Sequence, residues 1–207
     1  SEGRLRADEL NTYWTNRLRD EFDLESFLEM EYEKYYRHFF LPPARGGGSA
    51  KKRYAGLPAG QETVVFVGME SVRSDWTELA KEFQRELYRR VFLEQELEDW
   101  MRDFVAEMRT GTKDAALVYR KQLRKNSEEY VKNVPQHVRA ARLAGKRYGT
   151  IRYYMTRRGP IPIEMRPTEL DYEYYVDHQL SPIADTILNV IGMSFDEIVR
   201  STQMSLF

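Results

Sequence analysis

Hydrophobic residues along this chain change their period several times, and each change marks an element. From Ala7 to Phe22, Leu10, Tyr13, Trp14, Leu18 and Phe22 recur three and four residues apart, which predicts an amphipathic helix. Between Ser26 and Leu41 the period falls to two. There Leu28, Met30 and Tyr32 alternate with Glu29, Glu31 and Glu33, which predicts a strand with one buried face, stopped by Pro42-Pro43. Lys51 to Leu57 is also read as extended, with Lys51, Arg53 and Ala55 on one face and Lys52, Tyr54 and Gly56 on the other. Pro58 to Gln61 turns the chain into Thr63–Gly68 and closes a hairpin. Gly56, lacking a side chain, permits close approach of a neighbour or of nucleic acid.

Helical spacing then takes over. Ser74 or Asp75 can cap a helix whose stripe is Trp76, Leu79, Ala80, Phe83, Leu87, Tyr88 and Val91; a second stripe, Leu97, Trp100, Met101, Phe104, Val105 and Met108, ends at Gly111. Stripes of this kind are packing surfaces rather than cofactor sites. Strand signals return only near Tyr148, with Gly149–Thr156 and a hairpin around Arg158-Gly159-Pro160. Pro167 breaks that hairpin. Asp171 to Ile191 resumes helix with Tyr172, Tyr175, Val176, Gln179, Ile183, Ile187 and Val190 inward, kinked or split at Pro182 and ended by Gly192. Ser194 caps a last helix, Phe195 to Arg200. The expected fold is α+β: a small antiparallel sheet with a covering helix, followed by a mostly helical lobe with a short β-hairpin.

The 207 residues are 42% hydrophobic and 13% aromatic, ample for a core. The net charge of −1 conceals a segregation along the chain. Leu117 to Arg158 holds twelve Lys or Arg against two Glu, a balance of +10, whereas Met69 to Arg109 holds seven against eleven, or −4. The basic run carries Arg120, Lys121, Arg124, Lys125 and Lys132 with Tyr130. Pro135 then opens a short helix bearing His137, Arg139 and Arg142, and Lys146-Arg147 follows. Solvated faces normally mix signs, so phosphate contact explains this run better. The stretch Lys51-Lys52-Arg53-Tyr54, taken alone, fits a lysine-guarded edge strand as well as a nucleic-acid contact.

No cysteine occurs, which excludes a disulfide framework and a thiolate metal site. Three widely spaced histidines, and glutamates with no convergent partner, predict no metal site. No apolar run reaches the length of a membrane span and the first residues lack a signal-peptide segment, so no membrane partner is expected and the compartment is read as cytoplasmic.

Lys51-Lys52-Arg53-Tyr54-Ala55-Gly56-Leu57 resembles the palm motif of family B DNA polymerases that touches the primer-template duplex near the primer end. Phe66 to Thr77 resembles the family's passage from palm to thumb. Tyr119-Arg120-Lys121-Gln122-Leu123, Val134 to Arg142, Asp171 to Tyr175 and Gln179 to Pro182 follow in the family's order and rough spacing, most like its bacterial, polymerase II-type members. The resemblance implies a partial palm over residues 1–73 and a duplex-binding thumb over 74–200. It implies DNA contacts at Lys51, Lys52, Arg53, Tyr54, Arg120, Lys121, Arg124, Lys125, His137, Arg139 and Arg142.

The family's two carboxylate motifs and its nucleotide-binding lysine helix are not among these residues. The resemblance therefore implies a C-terminal, catalytically inactive fragment. Mg²⁺ and deoxynucleotides would be bound only by the full polymerase, whose carboxylates would precede Ser1. Residues 201–207 end in Gln203-Met204-Ser205-Leu206-Phe207, which resembles the tail by which bacterial polymerases dock on the sliding clamp, with Gln203, Leu206 and Phe207 as the contacts. The link from Ala144 to Gly149 is shorter than the resemblance leads one to expect. Two other classes stay open: a stand-alone, non-enzymatic nucleic-acid-binding module, and a structural protein whose basic run meets an acidic partner.

Overall fold

A computed structural model describes residues 1–43 and 52–200. Helix α1 (Glu2–Phe22) begins five residues before the predicted start. Its expected stripe is uncovered among the described residues: Leu10, Tyr13, Trp14 and Phe22 are exposed and Ala7 is the buried member. The predicted strand from Ser26 reduces to β1 (Tyr36–Phe40); residues 24–35 have no regular structure, and Leu28 and Met30 are exposed. Alternation alone could not make a strand there, because among the described residues no neighbouring strand offers hydrogen bonds to that segment. Instead Asn11 exchanges side-chain hydrogen bonds with the Met30 backbone, at 2.9 and 2.7 Å.

Strand β1 pairs antiparallel with β2 (Tyr54–Pro58), and β2 pairs antiparallel with β3 (Val65–Val67), giving a three-stranded sheet in the order β1-β2-β3. The expected turn is present: Gly60 has φ +75° and Gln61 N donates to Pro58 O at 3.2 Å. The strand begins at Tyr54. Lys52 takes a left-handed φ of 59°, which breaks the alternation read from the sequence. Ala55 and Leu57 face the core, and Gly56 lies under the Tyr36 ring, which a Cβ there would strike. The close neighbour at Gly56 is therefore the protein's own aromatic side chain.

Helix α2 (Glu78–Phe92) is capped by Thr77, whose hydroxyl accepts from Ala80 N, and not by Ser74 or Asp75. It buries Leu79, Ala80, Phe83, Leu87 and Tyr88 as the periodicity required. Helix α3 (Glu98–Arg109) adds Met101, Phe104, Val105 and Met108, and Trp100 stacks on Phe83 at 5.3 Å. Then comes an element absent from the expectation. Strand β4 (Tyr119–Leu123) pairs with β5 (Gly149–Thr156), which pairs with β6 (Gly159–Pro162), so the expected hairpin is the outer part of a second antiparallel three-stranded sheet. Its alternation was masked by charge: Tyr119 and Leu123 are buried while Arg120 and Gln122 are exposed.

Between β4 and β5 lies the predicted short helix, α4 (Gln136–Leu143), with Val138, Ala140 and Ala141 buried. The last helical stretch is split as Pro182 demanded: α5 (Tyr172–Tyr175), a π turn over Val176–Leu180, then α6 (Ser181–Leu188). Val190 is exposed, since the stretch ends in a 3₁₀ turn closed by Gly192 at φ +72°. Helix α7 (Phe195–Arg200) follows, with Glu197 N donating to Ser194 Oγ at 3.4 Å. Buried residues from both sheets and from α2 to α7 form one contiguous core, and the fold is α+β as expected.

Candidate nucleic-acid interface

Aromatic stacking fixes the second sheet from behind. Tyr153 on β5 stacks on Tyr119 of β4 at 5.2 Å, and Tyr119 on Tyr175 of α5 at 5.6 Å; Tyr175 Oη accepts from Met155 N at 2.8 Å. All three rings are buried, and burial pushes their hydroxyl pKa values up. A strand anchored on one face holds the residues of its other face in fixed positions. On β4 and β5 those are Arg120 and Arg152, directly paired in register and both exposed. Like charges facing each other across a ladder cost stability, so this pair suits an anion.

Two open grooves meet at Arg120. One, of about 580 Å³, is lined by Ser74, Trp76, Lys81, Arg120, Thr150 and Arg152 among others. The other, of about 810 Å³, includes Arg73, Asp75, Arg120, Lys121, Arg124, Tyr130 and His137. Arg120, Arg124 and Arg152 form no ion pair among the described residues, whereas Lys121 Nζ sits 3.2 Å from Asp75 Oδ2. Asp75 also pairs with Arg73 at 2.8 Å. Burial acts to raise the Asp75 pKa, but the hydrogen bonds from Arg73 and Lys121 outweigh it, and the carboxyl is held below its ordinary value. His137 is pushed below the usual histidine value by burial first and then by Lys121 and Arg124. It is therefore neutral at pH 7.

Of the residues expected at the site, Arg120, Lys121, Arg124 and His137 converge on these grooves. Lys125 lies at the margin, its Nζ 4.7 Å from the centre of the Tyr130 ring. Arg139 hydrogen-bonds Gln136 at 3.3 Å and faces Gly159 at the β5–β6 turn. Arg142 is committed within the protein: its Nε and Nη2 donate to Ser127 O at 3.1 and 2.8 Å, and Nη2 also donates to Tyr130 O at 2.8 Å. It pins the loop before α4, a structural task that its place in a basic run did not betray.

The remaining group belongs to the first sheet. Arg53 pairs with Glu70, which accepts from Gln84 Nε2 at 2.9 Å, and Gln84 Oε1 accepts from Ser71 N at 2.6 Å. Arg53 thus ties β2 to α2. Tyr54 sits in an aromatic cluster, 5.1 Å from Phe39 and 6.2 Å from Tyr36 between ring centres. The Tyr36 hydroxyl is pushed up to about 12, by burial first and then by Tyr54. Lys52 is exposed. Lys51, Gln203, Leu206 and Phe207 lie outside the described residues.

Sequence reasoning missed Arg152, Arg73 and Lys81. Arg152 became visible only through the β4–β5 register, and that register was legible in the alternation Tyr119, Lys121, Leu123, had it been weighted above the charges. Among the described residues, no three His, Asp or Glu side chains are placed to hold a metal ion, and no helix is long and apolar enough to cross a membrane.

No protein-family model matches the chain. The structure is similar to that of the family B DNA polymerase from the hyperthermophilic archaeon Pyrobaculum calidifontis, with a TM-score of 0.62 at 22% identity over 89% of this chain and 25% of that one. In sequence the chain is similar to segments of DNA polymerases, and in fold to a segment of a family B DNA polymerase. Its sequence is 40% identical over 220 residues to DNA polymerase II of Escherichia coli strain K12, covering 99% of this chain and 28% of that protein. It is 35% identical over 184 residues to DNA polymerase 2 of Aeropyrum pernix, covering 81% of this chain and 22% of the relative. The chain thus spans about a quarter of the length of these relatives.

Proposed function

We propose that this chain is the part of a DNA-directed DNA polymerase that grips the primer-template duplex. Residues 1–73 would be the partial palm, and 74–200 the thumb. The observation that carries the reading is the Arg120–Arg152 pair, two exposed arginines opposite each other in the β4–β5 register, neither with an acidic partner among the described residues; both line the first groove and Arg120 also lines the second. Phosphate oxygens neutralise such a pair, and backbone contact gives grip without choice of sequence. Arg124 and His137 extend the same surface, and Asp75 holds Lys121 at its border. Lys52 and Tyr54 would approach the duplex separately, near the primer end.

The chemistry of nucleotide transfer is assigned to the rest of the polymerase. Mg²⁺ and the incoming deoxynucleotides would be held by carboxylates outside this segment, and the segment by itself would be inactive. Gln203, Leu206 and Phe207 would dock on a sliding clamp, a reading that rests on their sequence alone. The protein would be bacterial and cytoplasmic, and on the nucleoid when bound to DNA. Fluorescence anisotropy with a labelled primed duplex tests the central reading. Binding that is lost on replacing Arg120 and Arg152 by Glu supports it; equal binding by parent and variant contradicts it.

A further inference from the structure

A second cluster of cations lies beyond the expected site. Arg157 and Arg158 form the β5–β6 turn, and Arg166 follows the 3₁₀ turn after β6; with Thr156, Thr168 and Glu169 they help line an open pocket of about 380 Å³. Three guanidinium groups meet one carboxylate there, and none of the three forms an ion pair among the described residues. The turn is stiff. Thr156 Oγ1 donates to Gly159 O at 2.8 Å and accepts from Arg158 N at 3.2 Å. Arg166 holds a left-handed φ of 49°, fixed by its N–H donating to Ile163 O at 3.0 Å. That conformation is unfavourable for a side chain without the local hydrogen bonding of Asn or Asp, and it fixes the direction in which this arginine leaves the backbone.

The pocket lies at the far end of the strand that carries Arg152. Arg152, Tyr154 and Thr156 share one face of β5, so the turn lies about 13 Å beyond Arg152 at about 3.3 Å per residue. That separation equals about four base steps along a duplex, at about 3.4 Å per step. We infer that Arg157, Arg158 and Arg166 form a second phosphate-binding site, which takes phosphodiester groups of the same DNA about four base steps from those held at Arg120 and Arg152. This rests on the proposed function and adds to it: the grip has two anion sites set along one strand of the sheet.

The test is the salt dependence of duplex binding by the protein and two variants. One carries Arg157→Gln, Arg158→Gln and Arg166→Asn, the asparagine being chosen because it tolerates the left-handed backbone; the other carries Arg120→Glu and Arg152→Glu. Circular dichroism and thermal melting check that both fold. If the second site is real, the first variant loses affinity by at least about tenfold at low salt, and its slope of log affinity against log salt falls by about 0.9 for each phosphate released. On a duplex too short to reach the turn, the loss disappears. If the first variant matches the parent in affinity and slope while the second loses both, the second site is wrong and the duplex-binding reading stands. If the parent binds no duplex, both fail. Inorganic phosphate that competes fully at submillimolar concentration would mark a small-anion site instead, and would also overturn the inference.

Discussion

Thr77 and Gln179, 102 residues apart, share one hydrogen-bond acceptor: Gln179 Oε1 receives the Thr77 N–H at 3.2 Å and the Thr77 hydroxyl at 3.0 Å. Both residues are buried, and Gln179 stands in the π turn that precedes Pro182. The N-cap of α2 is thereby locked to the last helical stretch, behind the loop that borders both grooves. Gln179→Leu leaves two buried donors without an acceptor, which costs about 1–3 kcal/mol. Urea or thermal unfolding measures the loss, and an unchanged midpoint would contradict the role given to this pair.

Arg120 and Arg152 make a prediction of opposite sign for stability and binding. Arg120→Glu puts an attractive charge across from Arg152 where a repulsive one stood, so the folded state gains up to about 1 kcal/mol. Duplex binding falls. A variant that melts higher and binds DNA less tightly supports the pair as a functional device, and one that melts lower and binds as before refutes it.

Asp75 restrains two cations of the groove. Because its folded pKa is depressed below the ordinary 3.8, its ion pairs contribute stability above that value and lose it as pH falls through the lower, folded value. Asp75→Asn should therefore lower stability at pH 7 and flatten the stability curve below about pH 4. It also leaves Arg73 and Lys121 unneutralised, and so tightens duplex binding at low salt. Unfolding and binding curves at pH 7 and at acid pH check both effects.

His137 titrates below 6.5 in the free protein. The unfolded chain takes up the proton more readily than the folded one, so the folded state loses stability as pH falls below 6.5. Phosphates placed beside the ring oppose burial and raise its pKa. Imidazole resonances followed by NMR should give a midpoint below 6.5 without DNA and a higher one with duplex; a midpoint unmoved by duplex would place His137 away from the phosphates.

Much of the fold was legible where one physical cause dominated. The stripes of α2 and α3, the split at Pro182 and the turn at Gly60 each follow from local chemistry, and each is present. Elements set by distant partners were read less well. The alternation from Ser26 had no neighbouring strand among the described residues, and β4 needed β5, about thirty residues on, to become a strand. The basic run marked a region, but charge count could not separate Arg142, spent on Ser127 and Tyr130, from Arg120, which lies opposite Arg152 and forms no ion pair among the described residues. Nor could it show that Arg53 is tied to Glu70. The difference between a phosphate ligand and a structural arginine lies in which carbonyls and carboxylates the fold brings within reach.

The exposed face of β4 and β5 is the surface proposed to bind the DNA backbone. Its most direct test is the slope of log affinity against log salt for duplex, measured for the protein and for a variant with Arg120, Arg124 and Arg152 all changed to Glu. A backbone grip through these three side chains predicts a slope reduced by about 0.9 for each phosphate lost, about 2.7 in all, with affinity falling at low salt. An unchanged slope in the triple variant would contradict the claim, because DNA would then be held by some other surface of the protein.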